Sequence, residues 1–141
     1  MHNSSDKTTA KKEIDEMVSK FFSLFNNCNN SIPNLEPIHD IFIPKGIIIK
    51  TLNQNTEIYN LKEFIEPRTK LLSDGTLIDF KEEEISEKTE IFGNIAQRFC
   101  VYKKSGVLSG VKFETKGTKT FQFIKTTEGW KISALAWDDE N

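Results

Sequence analysis

Residues 91–106, IFGNIAQRFCVYKKSG, residues 111–129, VKFETKGTKTFQFIKTTEG, and residues 130–140, WKISALAWDDE, read as three long strands joined by two tight glycine turns. They are dense in the β-branched and aromatic residues that suit a pleated, half-buried surface. Strand side chains alternate between two faces. On the first of the three, Phe92, Asn94, Ala96, Arg98, Cys100 and Tyr102 share one face, and Ile91, Ile95, Gln97, Phe99 and Val101 share the other. The second set is almost purely apolar and reads as packing. The first mixes small, aromatic and charged groups, as the wall of a ligand cavity does. On the last strand the same rule groups Trp130, Ile132, Ala134, Ala136 and Asp138 against Lys131, Ser133, Leu135 and Trp137.

The chain before this sheet is helical at first. Residues 1–7 read as a frayed tail, with Ser and Thr up to Thr9 available to cap a helix. From Lys11 to Asn27, Ile14, Met17, Val18, Phe21, Leu24 and Phe25 recur at three- and four-residue spacing, so one helical face is buried. NNCNNSIPN, residues 26–34, ends that helix. A short helix is expected from Leu35 to Phe42, then a turn at Pro44, Lys45 and Gly46. IIIKTL and TEIYN form a hairpin around NQN. Leu61 to Leu72 is a third helix, in which Pro67 should produce a kink or a break. KEEEISEKTE, residues 81–90, reads as a solvent-facing edge strand whose charges guard against mispairing.

With 141 residues the chain suits one domain, residues 8–141, around one core. A formal net charge of −2 with interspersed signs gives no basic face for nucleic acid. No apolar run approaches the roughly 20 residues of a membrane helix. MHNSSDKTTAKKE lacks the apolar segment of a secretory signal. Cys28 and Cys100 do not make a disulfide framework, and the expected location is the reducing cytoplasm. Two histidines and two separated cysteines, without HExxH or CxxC, predict no metal, and no phosphate loop or dinucleotide fingerprint predicts a cofactor.

The string GNIAQRFCVY, the glycine before TKTFQFIK and the Gly129-Trp130-Lys131-Ile132 opening of the last strand resemble the NTF2-like superfamily, in its SnoaL-like and steroid-isomerase-like branch. The order of helices, Pro-x-Gly turn and Ile-rich strand is similar too. That resemblance implies an α+β cone, with a strongly curved antiparallel sheet wrapped around about three N-terminal helices. It also implies a cavity at one end, homodimers formed through the outer sheet face, and an inward direction for Ala96, Arg98, Cys100 and Tyr102.

Inside such a cavity Arg98 would need a counter-charge, because an unpaired buried charge costs several kcal/mol. Either it anchors an acidic small molecule through its planar fork, or it forms a structural ion pair with Asp138 or Glu140, or it lies exposed on an open sheet face. Tyr102, Asp138 and Tyr59 join it as candidate ligand-binding residues. Arg98 could lower the pKa of Cys100, but no histidine stands near it in sequence and a buried, inert cysteine is the commoner case. Trp137 and Phe99 are placed at an outer-face contact. The expected function is therefore a cavity that binds a small, partly apolar, anionic molecule. Lyase or isomerase chemistry in the same pocket is the alternative, and a dimeric interaction module the third. No catalytic residue is assigned. Lys50 falls where a steroid-isomerase-like carboxylate base would stand, and the resemblance offers only His39 and Asp138 for a dehydratase-like pair.

Overall fold

The computed structural model describes residues 4–140, and the first three positions of the expected tail lie outside it. Among the described residues three α-helices, with a 3-10 turn at Cys28–Asn30 after the first, precede and interrupt a six-stranded sheet. In chain order these are α1 (Ser4–Ser23), α2 (Ile38–Ile41), β1 (Phe42–Leu52), β2 (Asn55–Tyr59), α3 (Leu61–Ser73), β3 (Leu77–Phe92), β4 (Ile95–Leu108), β5 (Val111–Thr126) and β6 (Gly129–Asp139). The sheet order is β2-β1-β6-β5-β4-β3. All pairings are antiparallel except β1 with β6, which is parallel. The sheet is thus mixed rather than antiparallel throughout. Parallel neighbours need a long crossover, and the α3–β5 segment between β1 and β6 supplies it.

Of the expected stripe α1 buries Ile14, Val18 and Phe21 and half-buries Met17; Ala10 and Phe22 are buried as well, and the helix starts at Ser4 and stops at Ser23. Asn27, expected only to break the helix, is a buried tie. Its side-chain amide donates to the carbonyls of Leu72 (3.0 Å) and Leu77 (2.7 Å), and its oxygen accepts from the Phe80 amide (2.7 Å). This joins the end of α1 to the α3–β3 junction. At 4% exposure the amide would be costly without those partners. α3 starts with a reciprocal capping box between Asn60 and Glu63. It runs through Pro67 as one helix; the expected break does not occur, and Pro67 itself is exposed. The Pro44–Gly46 segment is not a separate turn. It lies within β1, where pairing with β6 is irregular between Phe42 and Ile47.

Ile91 and Phe92 end the edge strand β3 rather than open β4, since the chain turns at Gly93 and Asn94. At the β4–β5 turn Ser109 and Gly110 both have positive φ (49° and 83°), which matches the twist of the flanking strands. Two bulges matter for the interior. In β3, Glu84 pairs with Tyr102 and Ser86 with Val101, so Ile85 is an extra residue. In β6, Ala134 pairs with Gln122 and Ile132 with Phe123, so Ser133 is extra. A bulge moves every later side chain to the opposite face. Trp130 and Ile132 are buried as expected, but beyond Ser133 the buried residues are Leu135 and Trp137. The expected inward placement of Ala134, Ala136 and Asp138, and the outward placement of Trp137, are therefore reversed.

The core is aromatic. Phe21 meets Phe25, Phe42 and Phe121 at ring-centroid distances of 5.1, 6.1 and 5.9 Å. Phe64 packs edge-on against Phe25 and Trp137, which joins α3 to β6 through the same cluster.

Candidate functional site

Between α1, α3 and the sheet lies a cavity of about 360 Å³. Phe21, Phe25, Phe64, Leu72, Leu135 and Trp137 make much of its apolar wall. Into this wall come six charged groups, each from a different element: Lys50 of β1, Arg68 of α3, Glu82 of β3, Lys104 of β4, Lys119 of β5 and Asp139 of β6. Four are cationic and two anionic.

The two carboxylates are already engaged. Lys104 Nζ donates to Asp139 Oδ2 at 2.8 Å, and the Tyr102 hydroxyl donates to Asp139 Oδ1. Burial works to raise the Asp139 carboxyl, but Lys104 and Tyr102 outweigh it and hold the group below the ordinary aspartate value. Lys119 Nζ lies 3.4 Å from Glu82 Oε2. Its ammonium also sits 3.9 Å from the Tyr102 ring centroid and 4.9 Å from that of Trp137. Burial pushes its pKa down, and the neighbouring Lys104 adds to that.

Arg68 is different. Its guanidinium lies 4.1 Å over the Phe64 ring, 5.3 Å from the Trp137 centroid and 5.7 Å from that of Tyr59. Among the described residues it forms no ion pair with a carboxylate. Burial holds its pKa below the usual arginine value, against the opposing pull of Tyr59, Glu82 and Glu57. Lys50, likewise without an ion pair, completes a cationic surplus.

The residues expected to bind ligand are distributed differently. Arg98 is buried (3% exposed) and faces the interior side of β4, but it does not line the cavity. Its Nε and Nη2 form a fork on Glu84 (3.0 and 2.6 Å). Its Nη1 donates to Asp15 of α1 at 2.6 Å, with Thr89 at 3.2 Å. Glu87 lies 3.7 Å away. Burial opposes the charge, yet the bonds to Glu84 and Asp15 raise its pKa above the ordinary value. The structural ion pair is thus present, but with Glu84 and Asp15 rather than Asp138 or Glu140. The inward-turned carboxylates of β3 fill the place an acidic ligand would need.

Tyr102 is fully buried behind Asp139. Asp138 is exposed on the outer face, and its neighbour Asp139 faces inward because of the Ser133 bulge. Tyr59 gives its hydroxyl to Glu57 and its ring face to Arg68. Cys100 is not an activated thiol: burial, with the Glu84 charge, pushes its pKa up to about 12. Cys28 and Cys100 are both free. His39 is exposed and paired with Glu36, so it does not face Asp138 across a cavity. Among the described residues no group of three metal-ligating side chains occurs, and no helix is long and apolar enough to cross a membrane.

Sequence reading missed Arg68, Glu82, Lys104, Lys119 and Asp139. Two of them carried a signal. Lys119 alternates in phase with Gly117, Phe121 and Phe123, so a lysine stands where the pattern demands an interior residue. Arg68 stands one turn from Phe64 and one from Leu72 on the apolar stripe of α3.

No family model matches this sequence. No curated protein matches it either. Solved structures do. An NTF2-like superfamily protein from Salmonella enterica superposes with a TM-score of 0.74 at 16% identity, covering 93% of this chain and 91% of that one. An NTF2-like protein with a cystatin-like fold from Novosphingobium aromaticivorans gives 0.68 at 13% identity, covering 98% and 90%. The association domain of C. elegans CaMKII gives 0.68 at 13%, covering 96% and 98%. The chain has the α+β NTF2-like fold, with N-terminal helices and a six-stranded mixed sheet. At these identities the likeness is one of fold, and fold alone does not choose an activity.

Proposed function

We propose that the cavity binds a small, partly apolar organic anion, with Arg68 as its anchor. The observation that carries this reading is the charge balance of the wall. Four cations face two carboxylates, both carboxylates are taken by lysines, and the arginine, with no carboxylate at ion-pair distance among the described residues, lies over ring faces beside the Tyr59 hydroxyl. A guanidinium held over aromatic rings presents its fork to a carboxylate while the rings take the apolar part of the ligand. The volume suits a ligand of a single ring with a short acidic side chain.

Arg68→Met keeps most of the side-chain volume and removes the charge. A hydrogen bond to a charged group contributes about 1.5–3 kcal/mol, so affinity for an aromatic carboxylate should fall roughly tenfold to a hundredfold. Calorimetric titration with mandelate and benzoylformate checks this. Equal affinities in the variant and the parent would defeat the assignment.

SnoaL-like or steroid-isomerase-like catalysis has weaker support. The position expected for its base holds Lys50, a cation in the cavity wall, and the inward Asp139 is committed to Lys104 and Tyr102. Binding is therefore favoured over isomerisation.

A homodimer is proposed on a separate observation. Phe92 pairs laterally with Ile95, and Ile95 with Ile124; these are 79%, 60% and 38% exposed, with Phe99, four residues along β4 on the same face, also exposed. Such an outer-face apolar row suits an interface. Trp137, expected to join it, is interior. Sedimentation at micromolar concentration should show a dimer that Phe99→Glu converts to monomer, and a parent protein sedimenting only as monomer would contradict the proposal.

A further inference from the structure

We propose that Lys119 is a carbonyl-reactive amine, so that the anion held by Arg68 also carries an aldehyde or ketone and forms an imine with Lys119 Nζ. This rests on the anion-binding reading of the same cavity.

Lys119 is 4% exposed on the inward face of β5, and its side chain lines the cavity. A lysine serving only as an ion pair would be expected to sit close on its carboxylate, as Lys104 does on Asp139 at 2.8 Å. Lys119 instead stands 3.4 Å from Glu82, its only carboxylate within ion-pair distance among the described residues. Three ring faces, Tyr102, Trp137 and Phe22, lie within 5.7 Å of its ammonium. The ring faces attract the ammonium, but near-complete burial and the neighbouring Lys104 work against the charge and shift the balance toward the neutral amine, the form that attacks. Arg68 and Lys119 also lie over the same indole, 5.3 and 4.9 Å from the Trp137 centroid, so one small ligand can reach both.

The step balances with groups on hand. Glu82 takes a proton from the Lys119 ammonium. The freed nitrogen lone pair adds to the carbonyl carbon, and the carbonyl π pair moves to oxygen. A proton passes from nitrogen to that oxygen, giving a neutral carbinolamine. Glu82 then returns its proton to the hydroxyl, the C–O bond breaks, water leaves, and a protonated imine remains. The positive charge stays on the nitrogen, opposite Glu82, so no new charge is buried.

Benzoylformate, with a carboxylate and a ketone, and mandelate, its hydroxyl counterpart, separate the two readings. The full chain is incubated with benzoylformate and cyanoborohydride, digested and mapped by mass spectrometry. The expected result is a reduced adduct on Lys119 that exceeds labelling of every other lysine and is lost when excess mandelate is present. Lys119→Arg should lose the adduct at position 119, with no other lysine labelled above the surface background. Mandelate binding to the parent without an adduct on Lys119, or with labels only on surface lysines, overturns the imine and leaves the anion site standing. Failure of the parent to bind mandelate overturns both. If the arginine variant does not fold, mapping and mandelate protection in the parent decide the matter alone.

Discussion

Arg98→Ala is expected to lower the melting temperature by roughly 10 °C while leaving the affinity for aromatic carboxylates unchanged. The guanidinium is buried and its fork is divided between Glu84 of the edge strand and Asp15 of α1. It is the hub of a network that Lys11 extends by pairing with Asp15 and Glu87, each at 2.8 Å. Removing one partner of a buried pair costs about 3–5 kcal/mol, because the other charge is left uncompensated. Here the carboxylates are 44%, 21% and 24% exposed, so water relieves part of the penalty and the low end, about 3 kcal/mol, applies. Arg98→Lys keeps the charge but cannot serve Asp15 and Glu84 together, and should fall between the two. Thermal melts with and without mandelate check both halves. A variant that melts with the parent, or one that has lost mandelate binding at equal stability, contradicts the structural role.

Gly117→Ala should be at least as damaging, at about 3 kcal/mol or more. Gly117 pairs across the ladder with Tyr102, whose ring lies over it. A methyl at this position would stand 2.6 Å from the backbone carbonyl oxygen of Asp138 and closer still to the Tyr102 hydroxyl. Neither obstacle can give way cheaply. The carbonyl belongs to the strand next to β5, and the phenol is held by Asp139 inside a filled core. Moving the ring would also disturb the Lys119 ammonium above it. Combining Gly117→Ala with Tyr102→Phe removes the hydroxyl but not the carbonyl conflict, so the double variant should recover only part of the loss. Chemical denaturation measures this, and a single variant as stable as the parent would refute the close approach.

How far the residues announced these features depended on whether periodicity alone was enough. Much of the helical stripe of α1, the hairpin around NQN and the inward face from Ala96 to Tyr102 follow from simple repeats, and the structure has them; the charged segment is an edge strand as expected, but Glu82, Glu84 and Glu87 turn inward rather than to solvent. The reading faltered where one residue breaks a repeat. Nothing in WKISALAWDDE marks Ser133 as an insertion, yet that insertion exchanges Asp138 for Asp139 and turns Trp137 inward. Arg98 was placed on the correct face, but its partners come from Asp15 in α1 and from Glu84 and Glu87 across a second bulge at Ile85. Contacts at such separations are set by tertiary packing, which no local pattern encodes. Asn27 shows the same: its composition suggested a helix stop, while its bonds reach more than forty residues ahead.

The position of β6 has a consequence for biosynthesis. This strand follows every other in the chain but lies in the middle of the sheet, between β1 and β5. On the ribosome the β1–β2 hairpin and the β3–β5 ribbon therefore emerge as two fragments, each with an unpaired margin that the last-made segment must stitch together. Until it arrives the aromatic interior stays open, and the nascent molecule passes through the very state that chaperones are suited to shield.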